Sequence, residues 1–240
     1  MSEWEKWERL SFYMLLAYNT NTNFLINTGF PVDLGLRREK MRKSFGSESY
    51  IVSKDSIKQL ELNGFQPDDI ENVAFTPIQD YTCGRLPEFV NATIFLNKKG
   101  WLEDIVNPIH SEIKDPTLYM PRNVRNFIEK RPPSYIKYFE SDHGSILIPG
   151  ITAISVGCHH RSSTAFAINT KNGIVVFSDA VFKYKNLEKM IPIGIAESII
   201  ECLDVYTELK KIGYVIPAYD PKSLENLNKF MKKETDDRHK

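Results

Sequence analysis

The chain predicts an α+β fold in four layers, αββα, and three observations carry that expectation. Apolar runs of strand length recur through both halves of the 240 residues. Each half combines strands, then a helix, then a further strand, which is the order such a sandwich requires. Hydrophobic residues make up 42% of the composition, enough for a substantial core. A single domain over residues 1–240 is expected, with a polar tail at 232–240.

In chain order, Ser11–Tyr18 and Asn23–Asn27 read as a hairpin, because the Asn19-Thr-Asn-Thr-Asn cluster between two apolar runs is turn chemistry. Arg37–Lys43 is a basic cluster, read as a solvated helix face. Ser53 is the expected cap of a helix through Leu62, which Gly64 ends. Val73–Thr76 reads as a strand, and Pro77, which cannot donate to a ladder, begins the loop to Gly84. Asn91–Leu96 is the next strand, Lys98–Asp104 a short helix, and Ile105–Tyr119 an irregular stretch of the length that often forms a lid. Pro121 opens a helix through Lys130.

In the second half, Tyr135–Phe139, Ser145–Ile148, Ile151–Ser155, Ser163–Asn169 and Gly173–Ser178 read as strands. Asn172-Gly173 marks a tight hairpin. A loop follows Asp179. Apolar residues at helical spacing then predict a helix over Ile195–Lys211, followed by a strand at Tyr214–Pro217 and a last helix at Ser223–Lys232.

Lys plus Arg and Asp plus Glu are equal at 31 each, so the overall field favours neither nucleic acid nor an anionic membrane as a partner. The longest apolar runs fall far short of the ~20 residues that span a bilayer, and the N-terminus makes a poor secretory signal. A cytoplasmic protein is expected. Cys83, Cys158 and Cys202 are odd in number and lack C-x-x-C spacing, which argues against a disulfide framework and a zinc ribbon. Cys202 reads as a buried core residue.

The segment Gly64-Phe-Gln-Pro-Asp-Asp-Ile-Glu-Asn-Val resembles the G-x-x-P-x-D-I/V-x-x-V approach of the metallo-β-lactamase superfamily, most closely its acyl-homoserine-lactonase-like branch. Asn27-Thr-Gly resembles the family's Asp-Thr-Gly. The likeness runs from Phe12 to Asp220 and implies a lactonase-like hydrolase on the four-layer scaffold. In that family a His-x-His-x-Asp-His run follows the approach strand; here Pro77, Gln79, Tyr81 and Thr82 stand at those positions. Gly157-Cys-His-His-Arg-Ser-Ser resembles the G-H-T-P-G-H-S/T loop, with Ser162 at its metal histidine. Phe177-Ser-Asp179 matches the strand-end Asp that bridges both metals, and Pro217-Ala-Tyr219-Asp220 matches P-G-H-D, with Tyr219 at the His. Asp179 alone is a good ligand, so no metal is assigned. Zinc or another single divalent ion, rebuilt from Cys83, Cys158, His159, His160 and Asp220, stays an open alternative.

Two further arrangements come from residue types. Cys83, His160 and Asp179 include a nucleophile, a base and an orienter. His159, His160 and Arg161, with Arg85 and His110, offer cationic donors to a small anionic or carbonyl-bearing molecule, and Asp179 is expected to hold that basic loop. The functional expectation is therefore a hydrolase homologue without the dinuclear zinc site, acting on a small ester or lactone. The alternatives are a metal-free small-anion binder and a non-catalytic interaction subunit. Homo-oligomerisation is left open.

Overall fold

The computed structural model describes residues 7–108, 119–140 and 144–232. The first sheet is built from β1 (Leu15–Tyr18), β2 (Asn23–Ile26), β3 (Asn72–Ala74), β4 (Thr93–Asn97) and β5 (Ile136–Phe139), in that spatial order. β1 and β2 pair antiparallel, whereas β2 to β5 run parallel. The crossovers contain α1 (Gly35–Phe45), α2 (Ser56–Glu61), α3 (Asp80–Cys83), α4 (Lys98–Gly100) with a π turn at Trp101–Val106, and α5 (Arg122–Lys130).

The second sheet comprises β6 (Ser145–Ile148), β7 (Ile151–Ser155), β8 (Thr164–Thr170), β9 (Gly173–Ser178) and β10 (Tyr214–Pro217), in the order β10-β9-β8-β7-β6. It is antiparallel up to β9, and β10 lies parallel to β9 after a crossover through α6 (Tyr184–Lys189) and α7 (Ile199–Ile212). α8 (Ser223–Lys232) follows β10.

Strand alternation makes the layers. In the first sheet Leu25, Val73, Ile94 and Leu96 face an outer core shared with Val124 and Ile128 of α5. Their neighbours Phe24, Ile26, Ala74 and Phe95 face inward and meet Phe166, Phe177 and Ile216 of the second sheet. Ala165, Val176 and Val215 point the other way, onto Cys202, Tyr206 and Leu209 of α7. Successive side chains of a strand take opposite faces, so an apolar residue at every position needs cover on both sides. Helices supply that cover, and the result is the αββα sandwich.

Several boundaries differ from the sequence reading for local reasons. α2 begins at Ser56 because Asp55, not Ser53, accepts from the N–H groups of Ile57 and Lys58. Tyr184–Lys189 is a helix where a loop is expected; Leu187 is its single buried residue, too little to leave a periodic signal. The basic cluster in α1 is not wholly solvated, since Arg37 turns inward to Asp80. Cys158 and Cys202 form a disulfide across 44 positions, contrary to the expectation of unlinked cysteines. Cys83 remains free and buried.

Candidate functional site

The ends of β3, β9 and β10 lie together, and the chain leaves each of them through one of the expected site positions. Asp179 follows β9 and is fully buried. Its Oδ1 accepts from the hydroxyl of Thr76, which also lies 2.6 Å from the carbonyl oxygen of Thr164. Its Oδ2 accepts from Ser163 Oγ at 2.6 Å and lies 2.9 Å from His159 Nδ1. Burying a carboxylate without partners costs several kcal/mol, and three donors offset that cost here. Thr76 is itself oriented by Asn27, whose side-chain oxygen accepts the Thr76 N–H at 2.9 Å. Asn27 thus positions a donor at the site.

The first-half positions turn to other work. Thr82 Oγ1 lies 2.5 Å from the carbonyl oxygen of Pro77 and 2.8 Å from that of Gln79, and accepts the Gln79 N–H at 3.1 Å. Gln79 receives Arg37 at 3.4 Å. Asp80 is buried and paired with Arg37, whose guanidinium also lies 5.2 Å from the Tyr81 ring centroid. Burial raises the Asp80 carboxyl above its usual range, and Arg37 opposes that shift. The Tyr81 and Tyr219 hydroxyls meet at 3.4 Å, and burial pushes both phenols well up. Phe12 lies about 5 Å from Tyr81, Tyr219 and Phe30, and Phe182 packs edge-on against Tyr219 and His159. Aromatic rings therefore fill the space between the three strand ends.

Ser162 is locked from both sides. Its Oγ accepts the N–H of Ile78 at 2.9 Å, and its own N–H donates to Asp104 at 2.9 Å. Behind it, a Cβ built on Gly100 would lie 2.2 Å from Ser162 Cα, so the end of α4 touches the loop backbone to backbone.

The remaining expected residues divide sharply. The His159 and His160 rings lie tilted at 45° to each other with centroids 4.0 Å apart; His159 is buried against Asp179, and His160 is half-buried beside Tyr119. Arg161 does not reach Asp179. Its guanidinium binds Glu197 at 2.6 Å and Glu201 at 3.0 Å, while the N–H of Cys158 also donates to Glu201 and those of Glu197 and Ser198 donate to the Cys158 carbonyl. With the disulfide, these bonds fasten the 157–163 loop to the start of α7. Arg85 is likewise occupied, by Glu88 and Asp55. Cys83 lies in the outer core with Sγ 3.8 Å from the Tyr119 carbonyl, and burial pushes its thiol well up. A protonated thiol in that core is a poor nucleophile. Asp220 accepts the N–H groups of Tyr184 and Lys222. His110 lies outside the described residues.

Thr76, Asp104, Phe12 and Phe182 were not singled out from the sequence. Only Thr76 had a usable cue: it ends an apolar strand beside a suspected site.

Two zinc ions do not fit these donors. The positions offer hydroxyls, phenols and an amide, and both oxygens of the one carboxylate are already engaged. Among the described residues, no group of three or more His, Cys, Asp or Glu could hold a metal ion.

No protein-family model and no curated protein matches this chain. Solved structures do. An N-acyl homoserine lactone hydrolase with N-hexanoyl-L-homoserine at its catalytic metal centre superposes with TM-score 0.68 at 16% identity, over 90% of this chain and 84% of that one. A probable metal-dependent hydrolase from Staphylococcus aureus gives 0.69 at 18% identity, over 88% and 75%. The hydrolase AbOPH of the beta lactamase superfamily gives 0.61 at 15%, over 89% and 74%.

The chain has the metallo-β-lactamase fold. Within that fold, Asp179 and its three donors occupy the mouth of the sandwich at the strand ends, where loops from both sheets meet. At these identities the likeness carries the architecture, and the chemistry has to be argued from the side chains.

Proposed function

We propose that this protein is a metal-independent member of the lactonase-like branch, binding a small anionic or carbonyl-bearing compound rather than hydrolysing a lactone through dinuclear zinc. The observation that carries the reading is Asp179: both of its oxygens are bound by protein donors. A zinc ion bridged there would have to displace Thr76, Ser163 or His159. The structural neighbours include a lactone hydrolase and a metal-dependent hydrolase, which supports a carbonyl compound as the ligand class. The half-buried His160, beside Tyr119 and in ring contact with His159, is the donor best placed to meet it. Arg161 acts on the loop, not on the ligand, because Glu197 and Glu201 hold its guanidinium.

The test combines metal content with binding. Protein purified without added zinc or chelator is expected to contain less than about one equivalent of zinc, and added zinc to leave its melting temperature unchanged. Thermal shifts over carboxylates, phosphates and lactones are expected to identify ligands whose effect is lost in His160→Ala. Two tightly held zinc ions with lactone turnover would overturn the proposal.

A second reading, a non-catalytic interaction subunit, draws on Ile195, Ile199 and Ile200, which are 57%, 62% and 75% exposed around the start of α7. Concentration-dependent self-association, abolished by Ile200→Asp, would favour it. A cytoplasmic location is also part of the proposal, and it requires Cys158 and Cys202, bonded in the structure, to be free thiols in the cell; no helix among the described residues is long and apolar enough to cross a membrane. Counting thiols in protein quenched directly from cells tests that location, since the cytosol of most organisms keeps cysteines reduced.

A further inference from the structure

We propose that the outer face of α1 is a binding site for a small phosphorylated compound, held between Arg38 and Arg42. The inference does not rest on the reading of the site around Asp179. Cations and acids balance over the whole chain, yet α1 sets Arg37, Arg38, Lys40, Arg42 and Lys43 against the single acid Glu39. No residue of this helix is buried, so core packing does not explain its sequence. Its inner side is attached through Arg37 to Asp80.

On the outer side, Gly35, Arg38, Glu39, Arg42 and Lys43, spaced as one helical stripe, line with Ser47 a shallow cavity of about 580 Å³ that lies open to solvent. A ligand there is held from one side, by the side chains of the stripe. The one carboxylate in the cavity is already neutralised, because Lys43 binds Glu39 at 2.5 Å and holds its carboxyl below the usual range. Arg38 and Arg42 have no ion-pair partner among the described residues. They sit one turn apart and present two planar forks to the same space. Forks of this kind bind the oxygens of a phosphate two at a time, and adjacent phosphates can take one fork each.

A flat polyanion fits less well. A membrane-binding helix needs its apolar residues on one face, whereas Leu36 and Phe45 fall about 180° apart around the helix at 100° per residue. A nucleic-acid strand needs a track of cations, and here they gather around one cavity.

Calorimetry with inorganic pyrophosphate at low salt tests the proposal on the full chain. Saturable binding is expected, weakened about a hundredfold in R38A/R42A, since each charge-assisted fork accounts for roughly a decade in affinity. Both side chains are exposed, so the double variant should melt at the wild-type temperature without ligand. Lys54→Ala, an exposed cation outside the cavity, is expected to bind as wild type does. Absence of saturable pyrophosphate binding, equal binding by R38A/R42A, or equal weakening by Lys54→Ala would overturn the site. Binding confined to a single-stranded oligonucleotide or to phosphatidylserine vesicles, with none to pyrophosphate, would overturn it as well.

Discussion

The two loops that meet at the mouth of the sandwich carry similar polar residues and use them in opposite ways. In the 77–84 loop, the Thr82 hydroxyl bonds to carbonyls three and five positions away and so serves the turn itself. In the 157–163 loop, His159 and Ser163 turn to a carboxylate 20 and 16 positions away, which Thr76 joins from 103 positions off. Bonds of the first kind define a local shape. Bonds of the second kind tie the two sheets together, and their loss is felt throughout the fold.

Asp179→Ala is expected to be the largest single effect, about 3–5 kcal/mol in urea unfolding, because it strands three buried donors. Removing the disulfide with C158A/C202A comes next, at about 3–4 kcal/mol, from the freedom returned to the unfolded chain. Thr82→Val is expected to cost only about 1–2 kcal/mol in the same assay, the scale of a lost cap. Equal losses in Asp179→Ala and Thr82→Val would erase the contrast between the loops.

The smallest expected effect concerns the outer fastening of the second loop. Burial raises the Glu201 carboxyl, but Arg161 and the Cys158 N–H outweigh it and hold the group below its ordinary value of 4.5. A carboxylate held low binds fewer protons folded than unfolded, so its contribution is present above about pH 4.5 and fades as pH falls through the folded value. Glu201→Gln should therefore lower the melting temperature at pH 7, and the difference should shrink as pH falls below 4.5 through the folded value. With the side chain 45% exposed, the loss should stay under about 1 kcal/mol. An effect that stays constant as pH falls below 4.5 would show that packing, not charge, holds the loop.

How much of this was legible follows from the range of each interaction. The Asn172-Gly173 turn, the β7 and β9 boundaries and the α8 boundaries are written in adjacent residues, and the structure has them where the sequence placed them. Asp179 could be found because it ends an apolar strand within a matching motif. Its donor Thr76 could not be assigned, because nothing near Thr76 points 103 positions ahead. The Cys158–Cys202 bond was hidden for the same reason: spacing along the chain says nothing of which helix a loop will lie against. Arg161 was matched to the wrong acid because Glu197 and Glu201 come near it only once α7 has docked.

The contact between Gly100 and Ser162 bears on how freely the centre of the site can change. In the lactonase-like pattern a histidine stands at position 162, yet here the backbone at 100 leaves no slack behind the loop, and Ser162 is pinned in front by Ile78 and Asp104. An imidazole at 162 would have to break the Ile78 bond before it met a metal. It would also find Thr82, Tyr81 and Tyr219 still at the opposing positions. The centre of the site is therefore interlocked, and changes there have to come in concert, whereas exposed positions can vary one at a time.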